Sequence, residues 1–160
     1  MTISTQLHCP KCGLDTYFNP KPCTAVILVN DTGEYLLTKR AFEPAKGAWD
    51  FLGGFIEGAE TFEANAVREV EEELGLIINE GSLHYVASHT EPYDFQDVEY
   101  PTIAVLFVAK FPAGAKPRPA DDVANYKFFA PDELPYDQLA FKAMRKDLAL
   151  VKDYLSKNRL

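Results

Sequence analysis

Positive charge is in short supply in this chain: 16 lysines and arginines stand against 24 aspartates and glutamates, a formal charge of −8. So acidic a surface argues against nucleic acid as a partner, because binding a polyanion depends on basic side chains that displace counterions. A small phosphate ligand stays open, since a bound divalent cation can invert the local field. Long apolar runs are missing as well, with no stretch nearing the roughly 20 residues of a membrane span, so no membrane role is expected. The opening MTISTQLHCPKC has neither the basic end nor the apolar middle of an export signal. Cysteine is sparse: three residues, an odd count, which without an export signal points to a reducing compartment and to the cytoplasm. Internal repeats and low-complexity tracts are absent. What is present is 47% apolar content over 160 residues, enough for one compact domain with a real core.

Residues 1–22 read as a short lead-in containing Pro and Cys, and 23–160 as the main domain. TAVILVN (24–30), a DTGE turn and YLLTKR (35–40) predict a β-hairpin. FEPAKGAWDFLGG is punctuated by Pro and Gly and reads as loop. Thr61 is placed to cap a helix running to about Leu74, with Gly75 as its terminating residue. LHYVASHT (83–90), TIAVLFVAKF (102–111) and YKFFA (126–130) predict strands, and EPYDFQDVEYP between the first two reads as a long polar-aromatic loop. PDELP begins a helical turn. Leu139, Met144, Leu148, Val151 and Leu155 recur at helical spacing and predict an amphipathic C-terminal helix. Mixed strands with one mid-chain and one terminal helix imply a helix–sheet–helix sandwich.

The mid-chain helix is crowded with glutamate. Glu69, Glu72 and Glu73 fall within one sector of about 100°. Ala66, Val67, Val70 and Leu74 occupy the neighbouring sector and would pack on the sheet, while Glu71 points to solvent. Like charges at these spacings repel unless something offsets them, and Arg68 alone cannot satisfy three anions. Two readings follow from the residues: a solvated charged face, or a set of hard oxygen ligands suited to Mg²⁺ or Mn²⁺.

Gly54, Glu60, Arg68, Glu69, Val70, Glu72, Glu73, Gly75 and Leu76 stand at the spacing G-x5-E-x7-R-E-U-x-E-E-x-G-U, where U is a bulky aliphatic. This resembles the signature of the Nudix hydrolases at every specified position. The preceding WDFLGG is similar to the family's W-x-x-P-G-G segment with Leu52 in place of proline. LLTKR and DDVANYKFFAPDELP resemble its first strands and closing turn, so the likeness runs over about residues 20–135. It implies an α/β fold, an α/β/α sandwich on a central mixed β-sheet. It also implies a small-molecule nucleotide substrate, hydrolysis at a pyrophosphate, and often a homodimer. By the same resemblance Glu69, Glu72 and Glu73 hold Mg²⁺ or Mn²⁺ with the Gly54 carbonyl. Arg68 orients Glu72, and Glu60 pairs with Arg68. In the family the general base is a glutamate of the motif or an acid outside it. Asp122 stands where related enzymes have a glutamate; Glu91, Asp94 and Glu99 compete with it.

HCPKCG resembles the second knuckle of the zinc ribbon that precedes the catalytic domain in NADH pyrophosphatases. The first knuckle is not in this sequence. Cys23 or His8 would have to complete a Zn²⁺ site, and a vestigial turn at Cys9 and Cys12 is the expectation. For the substrate, Pro92 lies where the ADP-ribose-hydrolysing branch has a proline, and Tyr93 where the dinucleoside-polyphosphate branch has a tyrosine. Tyr93 and Phe95 offer rings for a base, Trp49 is a core plug or a ligand wall, and Arg40 is a phosphate contact or a surface cation. The favoured function is hydrolysis of ADP-ribose, NADH or a nucleotide sugar. A hydrolase that sanitises nucleoside triphosphates is the alternative, and a non-catalytic ligand sensor comes third.

Overall fold

The computed structural model describes residues 6–160, apart from the side chain of Phe95. Two short strands, β1 (Gln6–His8) and β2 (Asp15–Tyr17), pair as a small hairpin. They are followed by β3 (Lys21–Val29), β4 (Tyr35–Arg40), the two-residue β5 (Trp49–Asp50), α1 (Phe62–Leu74), β6 (His84–Phe95), β7 (Val98–Lys110), β8 (Val123–Phe129) and α2 (Met144–Lys157). The main sheet runs β5-β4-β3-β7-β6, with β8 also pairing β4. β3 and β7 are parallel, from Lys21↔Thr102 to Val29↔Lys110, and the other pairings are antiparallel.

Alternation along β3 assigns the two cores. Ile27 and Val29 pack with Leu37, Trp49, Phe129, Met144, Leu148 and Val151 on the α2 side. Val26 and Leu28 pack with Leu36, Leu52, Ala66, Val70 and Leu74 on the α1 side. A strand buried on both faces reads as a continuous apolar run, which is what TAVILVN is. Trp49 is thus a core plug, 9% exposed and edge-on to Phe129 at 5.0 Å between ring centres. No helix among the described residues is long and apolar enough to cross a membrane.

Local signals were read correctly at α1. Thr61 Oγ1 accepts from Ala64 N–H at 3.1 Å, and Gly75, at φ 64°, donates its N–H to the Glu71 carbonyl at 2.7 Å. Three expectations need correcting. EPYDFQDVEYP is not a loop: it is the end of β6, a tight turn and the start of β7, paired from Pro92↔Pro101 to Phe95↔Val98. The turn residues Gln96 and Asp97 both take positive φ, 51° and 61°. That geometry matches strand twist, but it normally advertises itself through glycine or asparagine, which are missing here. Second, the 24–30/35–40 hairpin is a fork. β3 and β4 pair only at Val29↔Tyr35. Beyond that point β4 turns to β5 and β8, and residues 52–56 take its place beside β3. There Val26 N–H bonds the Leu52 carbonyl at 2.7 Å and Thr24 N–H bonds the Gly54 carbonyl at 2.9 Å. Third, α2 begins at Met144. Leu139 lies before it, held extended by a bridge to Trp49 and by the Ala140 N–H bond to the Trp49 carbonyl at 2.8 Å.

Proline adds a constraint at the β6–β7 end. Pro92 and Pro101 face each other, and neither has an N–H, so they form a pair whose backbone groups point away from one another. Pro101 therefore turns towards β3, whose ladder begins only at the next residue, and Pro92 turns outward from the sheet's outer strand.

Candidate active site

The fork delivers the glycine pair 53–54 to the N-terminal half of α1. An added Cβ on Gly54 would lie 2.7 Å from the carboxyl carbon of Glu69, so only glycine lets that side chain lie against the main chain. Asn65, Glu69 and Glu73 follow one another at four-residue intervals on the buried side of α1, with 0%, 8% and 3% exposure. Asn65 ties the parts together. It accepts from Thr24 Oγ1 at 2.5 Å and donates to the Phe55 carbonyl at 2.8 Å and to Glu60 Oε1 at 2.9 Å. The sequence reading missed Asn65, although its four-residue spacing to Glu69 and Glu73 is visible in the chain.

Arg68 is the hub on the outer side. It meets Glu60 at 2.9 Å, Glu69 at 3.0 Å and Glu72 at 2.7 Å. Glu60, bonded by Arg68, by Glu57 N–H and by Asn65, is held down to about 2. Glu72 is half-exposed and drawn onto Arg68, so the three motif glutamates do not close on one point. The Gly54 carbonyl spends one lone pair on Thr24 N–H.

Glu69 and Glu73 sit in a different field. Burial raises the Glu69 pKa, Arg68 partly offsets this, and Glu72 and Asp122 add to it. Burial raises Glu73 well above the ordinary carboxylate range, and Asp122, Glu69 and Asp50 add to this. Glu73 Oε2 is buried without a hydrogen-bond partner. Asp122 reaches this group because the loop before β8 is pinned to the end of α1. There Arg118 N–H bonds the Leu74 carbonyl at 2.7 Å and Ala120 N–H bonds the Glu73 carbonyl at 2.9 Å.

A cleft of about 210 Å³ opens beside these carboxylates, lined among others by Gly53, Gly54, Asp50, Asp122, Arg40 and Tyr93. Arg40 is no surface cation: it bonds Asp50 at 2.6 Å and the Pro44 carbonyl at 2.7 Å. Asp50, raised by burial against the pull of Arg40, was missed in the sequence because it stands in a segment read as loop. Of the competing outside acids, Glu91 lines the cleft with Asp122, whereas Asp94 and Glu99 are cross-strand partners near the exposed hairpin tip and do not line it. Glu91, His89 and Asp147 form a further polar group, with His89 Nδ1 3.5 Å from Asp147 Oδ1 and His89 Nε2 3.9 Å from Glu91 Oε2. Burial lifts Asp147 to about 6. The aromatic expectation resolves in part: Tyr93 lies between Phe55, at 5.5 Å, and Phe141, at 5.8 Å. The expectation for the Phe95 ring lies outside the described residues.

Cys9 and Cys12 stand at the turn of the β1–β2 hairpin as free thiols. His8 bonds Asp15 at 2.9 Å, and Cys23 points its thiol at the Ile103 carbonyl, with burial raising it to about 11. Among the described residues no three His, Cys, Asp or Glu side chains converge as a metal cage.

A mixed sheet between two helices, with a glycine loop delivering a glutamate-rich helix to a cleft, defines a class. The chain belongs to the Nudix family: the NUDIX domain model matches residues 19–151. Among curated relatives, an ADP-ribose pyrophosphatase of Methanocaldococcus jannaschii is 33% identical over 139 residues, 87% of this chain and 75% of the relative. An NAD-capped RNA hydrolase NudC of Pseudomonas aeruginosa is 29% identical over 129 residues, 81% of this chain but only 43% of the relative. The chain thus spans less than half the length of that relative. A solved MutT NUDIX hydrolase from Burkholderia pseudomallei superposes with a TM-score of 0.70 at 29% identity, covering 83% of this chain and 98% of that one.

Proposed function

We propose that this hydrolase cleaves the pyrophosphate bond of a nucleoside diphosphate joined to a second moiety, such as ADP-ribose, NADH or a nucleotide sugar. The observation that carries the reading is the unpartnered buried oxygen of Glu73 amid Glu69, Asp122 and Asp50. Four carboxylates that raise one another's proton affinity, offset only by Arg68 at Glu69 and Arg40 at Asp50, leave an excess of negative charge suited to a hard divalent ion, Mg²⁺ or Mn²⁺. Glu69, Glu72, Glu73 and the free lone pair of the Gly54 carbonyl would hold it. When bound, it would neutralise pyrophosphate charge and acidify a water. Arg68, clamped by Glu60, sets the position of Glu72, which would have to exchange that ion pair for the ion. A carboxylate of the cluster left free by the ion, Asp122 among them, would accept the proton of the attacking water. Arg40, fixed by Asp50, places positive charge at the cleft wall for a phosphate. The names of the two curated relatives support a diphosphate-linked substrate, and the −8 charge of the chain favours a small nucleotide over an RNA body. Residues 23–160 form the catalytic unit in this reading, with 1–22 a lead-in.

Product analysis tests it. With Mg²⁺, ADP-ribose or NADH should give AMP and a second monophosphate, and chelator should abolish turnover. Glu72→Gln and Glu73→Gln should each lower kcat by several orders of magnitude with the fold intact. Release of inorganic pyrophosphate from an oxidised nucleoside triphosphate, at a kcat/KM about a hundredfold above that for ADP-ribose and NADH, would replace the reading with the triphosphate one.

A further inference from the structure

The cleft wall made by β6 and α2 carries polar groups that the hydrolytic chemistry leaves unused. Asp147 is 4% exposed, lines the cleft, and its Oδ1 has no hydrogen-bond partner. His89 Nδ1, 3.5 Å away, has none either. Glu91 meets His89 only at 3.9 Å and receives one long contact, from Ala143 N–H at 3.4 Å. A closed charge-assisted bond would lie near 2.8 Å, so these groups keep lone pairs to offer. Arg40, the one permanent cation among the described lining residues, belongs to β4 and not to this wall. Such a wall repels phosphate and takes hydrogen-bond donors. Beside it stand the Tyr93 and Phe141 rings, 5.8 Å apart, with Phe55 edge-on to Tyr93 and the Arg40 guanidinium 5.5 Å from the centre of the Phe141 ring. A base brings a flat π-surface, and an exocyclic amino group offers two N–H donors on one nitrogen where an oxo base has a single ring N–H; a sugar brings donors without the surface.

We propose that His89, Glu91 and Asp147 form the base-recognition wall of the cleft, with the amino group of an aminated nucleobase donating to the Asp147 and Glu91 carboxylates and the ring lying against Tyr93 and Phe141. The inference rests on the reading that this cleft takes a nucleotide, and it adds the discriminating residues. An oxo base has one ring N–H and sets a carbonyl where the amino group would stand, so at least one of the two carboxylates is left unmet and faces an oxygen of like partial charge, the circumstance in which binding sites discriminate most strongly.

AMP and IMP differ at this group: the exocyclic amine of one is a carbonyl in the other. Calorimetric titration in metal-free buffer reads their affinities without any dependence on hydrolysis. The expected result is AMP binding at least tenfold tighter than IMP. Asp147→Ala or Glu91→Ala should shrink that ratio to within about threefold by weakening AMP alone. Three results overturn the inference: equal affinities or no AMP binding in the wild-type protein, a preference undiminished in both variants, or 2′-deoxy-AMP rather than IMP showing the loss. Glu91→Ala lies on the outer strand and keeps the test available if Asp147→Ala does not fold. Failure of the hydrolase reading would show separately, as no cleavage of ADP-ribose or NADH with Mg²⁺.

Discussion

At Gly54 a single methyl group decides whether Glu69 keeps its place. Gly54→Ala would put a carbon 2.7 Å from the Glu69 carboxyl carbon, so the side chain must move. Activity should fall about a hundredfold, on the order of the loss from misplacing one reacting group, while thermal melting shows a folded protein. A second residue reports through pH. Burial raises Asp147 from an ordinary 3.8 to about 6 while His89 opposes the shift. Below about pH 4 the group is protonated in folded and unfolded chains alike and has no effect. Between about pH 4 and 6 the unfolded chain gives up the proton while the folded chain retains it, so stability falls across that window and levels off above about 6. Asp147→Asn should therefore raise unfolding free energy at pH 8 by on the order of 1–3 kcal/mol and leave it nearly unchanged at pH 4. Denaturant melts at the two values check it, and equal increments at both would contradict the sign. Residue identity alone marked Glu69, Glu72 and Glu73 but not their unequal burial. Asn65 stayed hidden because its partner Thr24 is distant in the chain and meets it only after folding, and Asp50 because it stands in a segment read as loop.

Among the elements, α1 was legible from end to end because its caps are made by neighbours in sequence. The β6–β7 hairpin was not, because its turn uses left-handed Gln96 and Asp97 without the residues that favour such geometry. Replacing Gln96 by Asn together with Asp97 by Gly should relieve that conformational cost and stabilise the chain by about 0.5–1 kcal/mol. A midpoint shift to higher urea at constant slope is the readout, and a shift the other way would mean that the native turn chemistry matters more than backbone preference. The β3–β4 fork is of another kind. Nothing local in TAVILVN or YLLTKR says that the strands part after Val29↔Tyr35, since the competing partners lie at 52–56 and 123–129.

For the molecule as a whole, the two-helix sandwich followed from the order of apolar runs, and the sheet order from contacts that no single run encodes. The N-terminal hairpin sits outside that economy, because β1 and β2 bury none of their residues. Cys9→Ser with Cys12→Ser should leave melting temperature and turnover within error of the parent, and stoichiometric zinc lost in that double variant would overturn the vestigial reading. The opposite margin of the fold carries a different consequence. β6 is a 12-residue outer strand, long enough to template a neighbouring chain. The outward-turned Pro92, ninth of its twelve residues, interrupts the row of donors along the exposed rim. Pro92→Val would restore the row, and light scattering during prolonged incubation should then reveal faster self-association. What looked in the sequence like a substrate-branch marker would serve also as a guard on colloidal solubility.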